Sequence, residues 1–162
     1  MIGLYHDYEI DDACGRIDFA RVHGWLTGSY WSPGIARETV ERGARHSALV
    51  VGAYRGEEQA GYLRVISDTT RFAYFCDVFV DEAHRGRGLA KAMVKFALEH
   101  PDFKEVRRWL LATRDAHDVY RAVGFTPLVE PHRWMQYHPA PPGEQKAESS
   151  ALPPNLRRGE GE

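Results

Sequence analysis

The chain has 162 residues, of which 43% are hydrophobic and 27% are charged, and its formal net charge is −2. This length suits one domain with one core, and the composition excludes a wholly disordered chain, a fibrous repeat and a disulfide-stapled miniprotein. The near-zero charge gives no general attraction to nucleic acid or to an anionic membrane. Residues 1–12 are acidic where a signal peptide is basic and then apolar, and no run reaches the roughly 18 apolar residues that span a bilayer. We therefore expect a cytoplasmic protein with no nucleic-acid or membrane partner.

The chain has two cysteines, Cys14 and Cys76. Cys76 follows the apolar run 72–75, so a buried free thiol is preferred over a disulfide as its interpretation. Neither cysteine has the spacing of a metal site, and we expect no metal.

Hydrophobic periodicity in the first half predicts a strand, two helices and three more strands. Phe19, Val22 and Leu26 recur at helix spacing, and Pro33 suits the opening of a second short helix. A turn-forming break at 55–58 predicts an antiparallel hairpin, which a third strand joins. The predicted elements are a strand at 4–10, helices at 17–27 and 35–42, and strands at 46–54, 59–67 and 71–80.

The most regular helix is predicted at 86–100, where Leu89, Met93 and Phe96 form one apolar stripe before Pro101 ends it. The elements predicted after it are a strand at 106–113, a short helix at 115–122 capped by Asp115, and strand pieces at 124–127 and 133–138.

Hairpins in the first half and crossover helices in the second predict one α/β domain at residues 1–138. Its central sheet is expected to be mixed and mainly antiparallel, with about six to seven strands flanked by about four helices. The Pro- and Gly-rich tail at 139–162 is expected to be disordered.

One segment, 78–91, carries the main chemical signal. A strand ends, a short loop follows, and the run Arg-Gly-Arg-Gly-Leu-Ala at 85–90 opens a helix. Glycines allow a ligand to approach the backbone closely, and the free amides and dipole of a first helical turn attract anions. Arg85 and Arg87 add guanidinium groups suited to phosphate oxygens. The segment therefore predicts a pyrophosphate site, although an isolated Gly-Arg-Gly of this kind is more often a simple turn.

The context of this loop resembles a known family. The pattern Arg-x-x-Gly-x-Ala after a strand that ends in valine is similar to the acyl-CoA loop of the GNAT superfamily of N-acetyltransferases. Tyr120, four residues before Gly124-Phe125, resembles the family's second signature, and the order of elements over residues 1–138 resembles a GNAT domain. The resemblance implies a GNAT fold and an acetyl-CoA-dependent N-acetyltransferase.

By this resemblance, acetyl-CoA lies in a notch between the strands at 71–80 and 106–113. The resemblance implies backbone pairing of the pantetheine arm with Val78, Phe79 and Val80, and a pyrophosphate held by the loop amides. The implied loop residues are Arg85, Gly86, Arg87, Gly88, Leu89 and Ala90. Thr113 stands where relatives frequently have an asparagine that contacts the cofactor.

The resemblance also assigns Tyr120 as the general acid that protonates the departing thiolate, and a phenol with a pKa of about 10 suits that role. The base is less clear from the sequence. Alternation places Tyr74 and Cys76 on one strand face and Asp77 on the other, unless a bulge shifts the register. Asp77 is a candidate base or amine anchor, and removal of the proton through water is an open alternative.

The acceptor site is expected to involve the connection between the first two helices. Tyr30, Trp31 and Tyr74 are candidates for an aromatic wall beside an amine, and Arg64 is a candidate for binding a substrate carboxylate. A small amine or amino-acid-like acceptor is our first hypothesis. The alternatives are a protein lysine or N-terminus as acceptor, and a non-catalytic acyl-CoA sensor. A homodimer is also possible for this family.

Overall fold

The structure, a computed structural model, describes residues 1–139. Except for its first residue, the tail predicted at 139–162 lies outside the described residues. The chain forms one compact unit at Met1–Thr126, and a second unit begins at Pro127. In this second unit, a short 3-10 turn at Pro131–Arg133 carries an ion pair between Arg133 and Glu130 at 2.7 Å.

The first unit is built on a six-stranded sheet whose spatial order follows the chain. The strands are β1 (Ile2–Tyr5), β2 (Tyr8–Asp11), β3 (Leu49–Arg55), β4 (Glu58–Ser67), β5 (Phe72–Val80) and β6 (Arg108–Leu110). Each neighbouring pair is antiparallel except β5 and β6, which are parallel. The prediction of a mixed, mainly antiparallel sheet is therefore confirmed.

Helices cover both faces of this sheet. The α-helices within residues 1–139 are α1 (Phe19–Thr27), α2 (Arg37–Arg45), α3 (Leu89–Leu98) and α4 (His117–Arg121). Val50 and Tyr62 pack with α1 and α2, whereas Val51 and Leu63 belong to the cluster around α3. Successive strand residues thus enter different cores, as strand alternation requires. None of the helices in this part of the chain has the length and apolar character needed to cross a membrane.

The N-terminal segment differs from its prediction as one strand at 4–10. It is a hairpin, in which Tyr5 pairs with Tyr8 across a two-residue turn and His6 has a positive φ of 54°. The prediction is wrong because the apolar residues on either side suggested continuity. A polar pair, His6 and Asp7, provides the turn.

The predicted strand pieces at 124–127 and 133–138 are also wrong, since neither range forms a strand. Pro127 ends the first range and Pro131 precedes the second. A proline has no backbone N–H to donate to a strand ladder, which disfavours sheet pairing at these positions.

Buried phenols make the fold sensitive to alkaline pH. Burial raises the pKa of Tyr54 and Tyr120 to about 12 and also raises that of Tyr62. The hydroxyls of Tyr54 and Tyr62 are buried with no hydrogen-bond partner in the described part of the chain. The unfolded chain, with phenols near their ordinary pKa of 10, ionises first as the pH rises. The contribution of these buried phenols to the free energy of unfolding is therefore fully present below about pH 10 and is lost between about pH 10 and 12.

We expect each buried phenol to contribute about 1–3 kcal/mol to this loss. Denaturant unfolding at a series of pH values measures it. Tyr62→Phe should reduce the alkaline slope because it removes one of the titrating groups. A free energy of unfolding that stays constant up to pH 12 would contradict the prediction.

Candidate active site

The short strand β6 is paired with β5 only along the first three residues of β5. Their register runs from Phe72 opposite Arg108 to Tyr74 opposite Leu110, and β5 continues unpaired on this side to Val80. A cleft of about 1320 Å³ opens where the strands part. The predicted site residues that line it are Tyr30, Trp31, Arg64, Tyr74, Asp77, Val78, Phe79, Val80, Arg85, Gly86, Gly88, Leu89, Ala90, Thr113 and Tyr120.

A β-bulge in β5 changes which side chains face the cleft. Tyr62 pairs with Phe79, and Arg64 pairs with Cys76. Between these pairs β4 has one residue and β5 has two, and Asp77 has a positive φ of 52°. Such a bulge resets the alternation of the strand. Asp77 consequently lies on the same face as Cys76, where strict alternation would have turned it away.

On this face Asp77 forms an ion pair with Arg64. The distance from Arg64 Nε to Asp77 Oδ2 is 2.5 Å, and both side chains are largely buried. Arg64 Nη1 also lies 3.4 Å from Ser47 Oγ, at the end of α2. Burial lowers the pKa of Arg64, but the hydrogen bond and the negative charge of Asp77 outweigh it, so the pKa is raised overall. The guanidinium is therefore charged at every physiological pH.

The loop between β5 and α3 has the geometry of an anion site. Gly86 and Gly88 have φ values of 74° and 78°, and α3 begins at Leu89 with Gly88 as an N-cap that provides no side-chain hydrogen bond. The N–H groups of a first helical turn have no partner within the helix. Gly86, Gly88 and Leu89 line the cleft, so donors and the positive end of the helix dipole are presented at this end of it.

Neighbouring side chains fix this loop from two sides. Tyr5 in the N-terminal hairpin donates a hydrogen bond of 3.2 Å to the carbonyl oxygen of Arg87. Gly88 has a φ of 78°, which favours glycine, and a Cβ added there would lie 2.5 Å from the Tyr5 hydroxyl oxygen, so a larger residue would also displace Tyr5. On the other side, Asp81 Oδ2 accepts a hydrogen bond from Trp25 Nε1 at 3.0 Å, which joins the loop to α1.

The two predicted phosphate-binding arginines are placed differently. Arg85 lines the cleft, donates through Nε to the Val80 carbonyl at 3.0 Å and lies over the ring of Phe79 at 5.4 Å. Arg87 is exposed and is not among the residues that line the cleft. It contributes to the loop through its backbone carbonyl oxygen, which accepts the hydrogen bond from the Tyr5 hydroxyl.

Tyr120 lies at the opposite wall of the cleft, on α4. It is 9% exposed, and its ring packs edge-on against Phe125 at 6.0 Å. The backbone N–H of Phe125 donates to the Tyr120 carbonyl at 3.0 Å, and Gly124 between them has a φ of 98°. The Gly-Phe corner thus closes the helix and holds the tyrosine in place. No residue in 1–139 accepts a hydrogen bond from its hydroxyl.

Burial, and secondarily the nearby phenols of Tyr30 and Tyr74, raise the pKa of Tyr120 to about 12. The hydroxyl is therefore protonated at neutral pH and can donate a proton into the cleft. Tyr30, Tyr74 and Tyr120 come from the α1–α2 connection, β5 and α4 respectively. The fold brings three phenols together that are far apart in sequence.

The aromatic side chains Tyr30, Trp31 and Tyr74 are connected to the segment that follows β6. The rings of Tyr30 and Trp31 pack edge-on at 4.9 Å, and Tyr30 Oη accepts a hydrogen bond from the Arg114 backbone N–H at 2.9 Å. The guanidinium of Arg114 also lies 3.8 Å from the centre of the Tyr30 ring. The Tyr74 phenol interacts with the backbone of Ala112. Hydrogen bonds and a cation–π contact therefore connect the two walls of the cleft at this end.

Thr113 has a local structural role as well as a place in the cleft. Its Oγ1 accepts a hydrogen bond from the Ala116 backbone N–H at 3.0 Å, just before α4. Ala116 is the N-cap of α4 and has no side-chain cap bond. The prediction that Asp115 caps this helix is therefore wrong, and Asp115 is instead exposed beside Arg114 at 3.5 Å.

The cleft also contains residues that the sequence did not indicate. His84 is 4% exposed, and its Nδ1 lies 2.9 Å from the hydroxyl of Tyr8 on β2. Lys91 lies in the first turn of α3 and adds positive charge beside the loop. No local sequence pattern indicates His84 as a site residue, because its partner Tyr8 is 76 residues away. Lys91 is indicated only by its position directly after Ala90. Cys76, a free thiol, is half-buried rather than buried, and burial raises its pKa.

No cluster of three or more potential metal ligands occurs within residues 1–139. The cleft combines a loop with the geometry of an anion site, an unpaired strand edge and a protonated phenol.

Comparisons with known proteins identify this arrangement. The sequence matches the profile of the Acetyltransferase (GNAT) family over residues 5–125. A GNAT-family structure from Xanthomonas campestris pv. campestris is 37% identical with a TM-score of 0.78, and the match covers 84% of this chain and 95% of that one. A search of curated proteins finds no match.

More distant structures share the fold. A GNAT-family acetyltransferase protein from Streptococcus pneumoniae TIGR4 is 21% identical with a TM-score of 0.60, covering 89% of this chain and 100% of that one. A protein of unknown function from meticillin-resistant Staphylococcus aureus is 18% identical with a TM-score of 0.66, and the match covers 82% of this chain and 98% of that one. The family profile includes β2 to β6 and every wall of the cleft, and with the 37%-identical relative it shows that the chain belongs to the acetyltransferase (GNAT) family, whose members transfer an acyl group from acyl-CoA.

Proposed function

We propose that the protein is an N-acetyltransferase that moves the acetyl group of acetyl-CoA to the primary amine of a small molecule by direct attack. The observation that carries this proposal is Tyr120, a protonated phenol that lines the same cleft as the anion-binding loop. A non-catalytic sensor would need the loop and the cleft, but it would have no need of a proton donor. The phenol in the cleft therefore favours turnover over binding alone.

The residues present fit the cofactor. A pyrophosphate would accept hydrogen bonds from the amides of Gly86, Gly88 and the first turn of α3, with charge supplied by Arg85 and Lys91. The pantetheine arm would lie along the unpaired edge of β5, at Val78, Phe79 and Val80, in the manner of an added strand. When bound, acetyl-CoA supplies the thioester carbonyl as the electrophile.

The proposed transfer forms one bond and breaks another. The lone pair of the neutral acceptor nitrogen attacks the thioester carbonyl carbon, a C–N bond forms, and the C–S bond breaks. Tyr120 donates its hydroxyl proton to the departing sulfur, which leaves as the CoA thiol. The surplus proton on the nitrogen passes to Asp77 or to water. Backbone N–H groups near Phe79 and Val80, beyond the bulge, are the candidates for stabilising charge on the carbonyl oxygen.

A protein lysine or N-terminus is the second candidate acceptor class. The acceptor end of the cleft is lined by Tyr30, Trp31 and Tyr74, and its carboxylates, Asp77 and Asp115, are paired with Arg64 and Arg114, so their charge does not attract a basic protein segment. This lining favours a small molecule. A cytoplasmic location and a homodimer stay predictions.

The experiment is an acceptor screen with acetyl-CoA. Thiol release is followed in the presence of small amines, amino acids and a lysine-containing peptide, and the N-acetyl product is identified by mass spectrometry. We expect amine-dependent thiol release with a matching small-molecule product. Transfer to the peptide alone would move the assignment to the protein-acetylating class, and binding without any transfer would favour the sensor.

A further inference from the structure

We propose that the acceptor is a zwitterion of the α-amino-acid type, whose carboxylate is bound by Arg64 and whose amino group is held by Asp77. This inference rests on the proposed function, because it concerns the acceptor of the same reaction.

The acceptor end of the cleft has charges of both signs that cancel. Arg64 is opposed by Asp77 at 2.5 Å, and Arg114 is opposed by Asp115 at 3.5 Å. A bare ammonium ion placed here is attracted by one member of each pair and repelled by the other. The same holds for a bare carboxylate. A ligand that bears both a positive and a negative charge is attracted by both members of such an ion pair.

The Arg64–Asp77 pair is suited to such a ligand because it is largely buried and only partly satisfied. The side chains are 20% and 12% exposed, so water screens their charges weakly. Arg64 uses Nε for Asp77 and Nη1 for Ser47, and Asp77 uses Oδ2. Within residues 1–139, Arg64 Nη2 and Asp77 Oδ1 have no hydrogen-bond partner. One donor and one acceptor of opposite charge thus stay available side by side.

The backbone at Asp77 supports a functional reading of the pair. A φ of 52° is uncommon for a non-glycine residue inside a strand, although aspartate adopts it more readily than most residues, and unusual backbone conformations of this kind cluster at sites where the position of a side chain matters. Here this conformation turns the carboxylate into the cleft instead of away from it. Without the bulge, Arg64 would lack its partner, and the cleft would have a single unpaired buried cation.

The pair also lies at the right end of the cleft. Asp77 directly precedes Val78, where the unpaired edge of β5 begins to offer its backbone to the pantetheine arm. An amino group held at Asp77 is therefore next to the expected path of the thioester. The attacking nitrogen must be neutral, so the ammonium first gives up one proton to water, and Asp77 stays able to accept the proton that the nitrogen releases after the attack. The carboxylate of the acceptor stays on Arg64 throughout, and the amide product keeps it.

Aromatic rings in the cleft indicate which side chain the amino acid acceptor has. Tyr30 and Trp31 line the same cleft as the pair and are 40% and 41% exposed. Such rings provide a large surface against which apolar side chains pack. We therefore expect amino acids with aromatic or long aliphatic side chains to be preferred over small polar ones.

The test compares matched acceptors that differ only at the carboxylate. Phenylalanine, phenylalanine amide and phenethylamine are each assayed with saturating acetyl-CoA, for the intact protein and for Arg64→Gln. The inference expects kcat/KM for the amino acid to exceed that for the other two by at least about tenfold, the scale of one charge-assisted hydrogen bond. Arg64→Gln should abolish this preference. Arg45→Gln, which removes a guanidinium from the exposed surface of α2, should leave it intact.

Two further measurements keep the outcomes distinct. Arg64→Gln leaves Asp77 without its partner, so the double variant Arg64→Gln/Asp77→Asn is assayed as well; it retains a neutral hydrogen-bonding pair. Acetyl-CoA binding is measured for each variant by calorimetry to show that the cleft is intact. Equal turnover of the amine and the amino acid, or an unchanged preference in Arg64→Gln, would overturn the inference and leave the proposed function standing. No transfer to any amine would overturn the proposed function and this inference with it.

Discussion

Replacing Tyr120 by phenylalanine is expected to lower kcat by about 100- to 10,000-fold, the usual contribution of a positioned general acid. Affinity for acetyl-CoA should stay the same, because the substitution removes one oxygen and keeps the ring that packs against Phe125. Steady-state kinetics measures the first quantity and calorimetry the second. The combination of lost turnover and retained binding is what separates a proton donor from a packing residue.

Tyr54→Phe is the matched control for this experiment. It makes the same chemical change at another buried tyrosine, one whose hydroxyl has no partner within the described residues and does not line the cleft. We expect normal kcat for this variant. If Tyr120→Phe also retains normal kcat, Tyr120 is not the acid and the proposed mechanism fails.

The pKa of Tyr120 also predicts the alkaline limb of the pH profile. With the pKa raised to about 12, the acid form persists well above the ordinary value of 10. Activity that depends on the protonated phenol is therefore expected to survive to a higher pH than an exposed tyrosine would allow, up to the limit set by unfolding.

The second large effect is expected for Gly88→Ala, in the anion-binding loop. An alanine at a φ of 78° is strained by about 1–2 kcal/mol, and its Cβ would lie 2.5 Å from the Tyr5 hydroxyl. Either the loop shifts, or the Tyr5 side chain moves away and its hydrogen bond to the Arg87 carbonyl is lost, and both changes disturb the amides expected at the phosphate position. We expect the Kd for acetyl-CoA to rise by at least about tenfold, as measured by calorimetry.

Three companion variants separate the causes. Gly86→Ala has a similar φ of 74° but no atom within 4 Å of the added Cβ, so it isolates the backbone strain. Adding Tyr5→Ala to Gly88→Ala removes the clash, and affinity should recover in part. Gly24→Ala, on an open face of α1, should leave Kd unchanged and raise stability by about 1 kcal/mol. Unaltered acetyl-CoA affinity in Gly88→Ala would show that this loop does not hold the phosphates.

Much of the architecture could be predicted because the elements that carry it have strong local patterns. The hairpin of β3 and β4, the strand β5 and the helix α3 lie close to their predicted ranges, since each combines a clear period with a turn or proline at its end. The failures lie at the two termini. At His6 a polar pair interrupted an apolar run, and after Gly124 apolar residues suggested strands that prolines disfavour.

In the candidate site, too, features with a local sequence pattern could be predicted and features that depend on distant residues could not. The loop from Arg85 to Ala90 and the position of Tyr120 could be predicted because their signals are local in sequence. The orientation of Asp77 could not, because it depends on a bulge that only the pairing of β5 with β4 defines. The partnership of Arg64 with Asp77 follows from the same bulge, so the sequence could present Arg64 only as an unpaired candidate for a carboxylate.

The central claim is that the cleft between β5 and β6 binds acetyl-CoA through the loop at Gly86 and Gly88. A calorimetric titration with acetyl-CoA tests it most directly, with Gly88→Ala measured in parallel. The account predicts saturable binding at one site per chain, weakened in the variant. An absence of saturable binding in the intact protein would contradict the reading of the loop, of the cleft and of the reaction built on them.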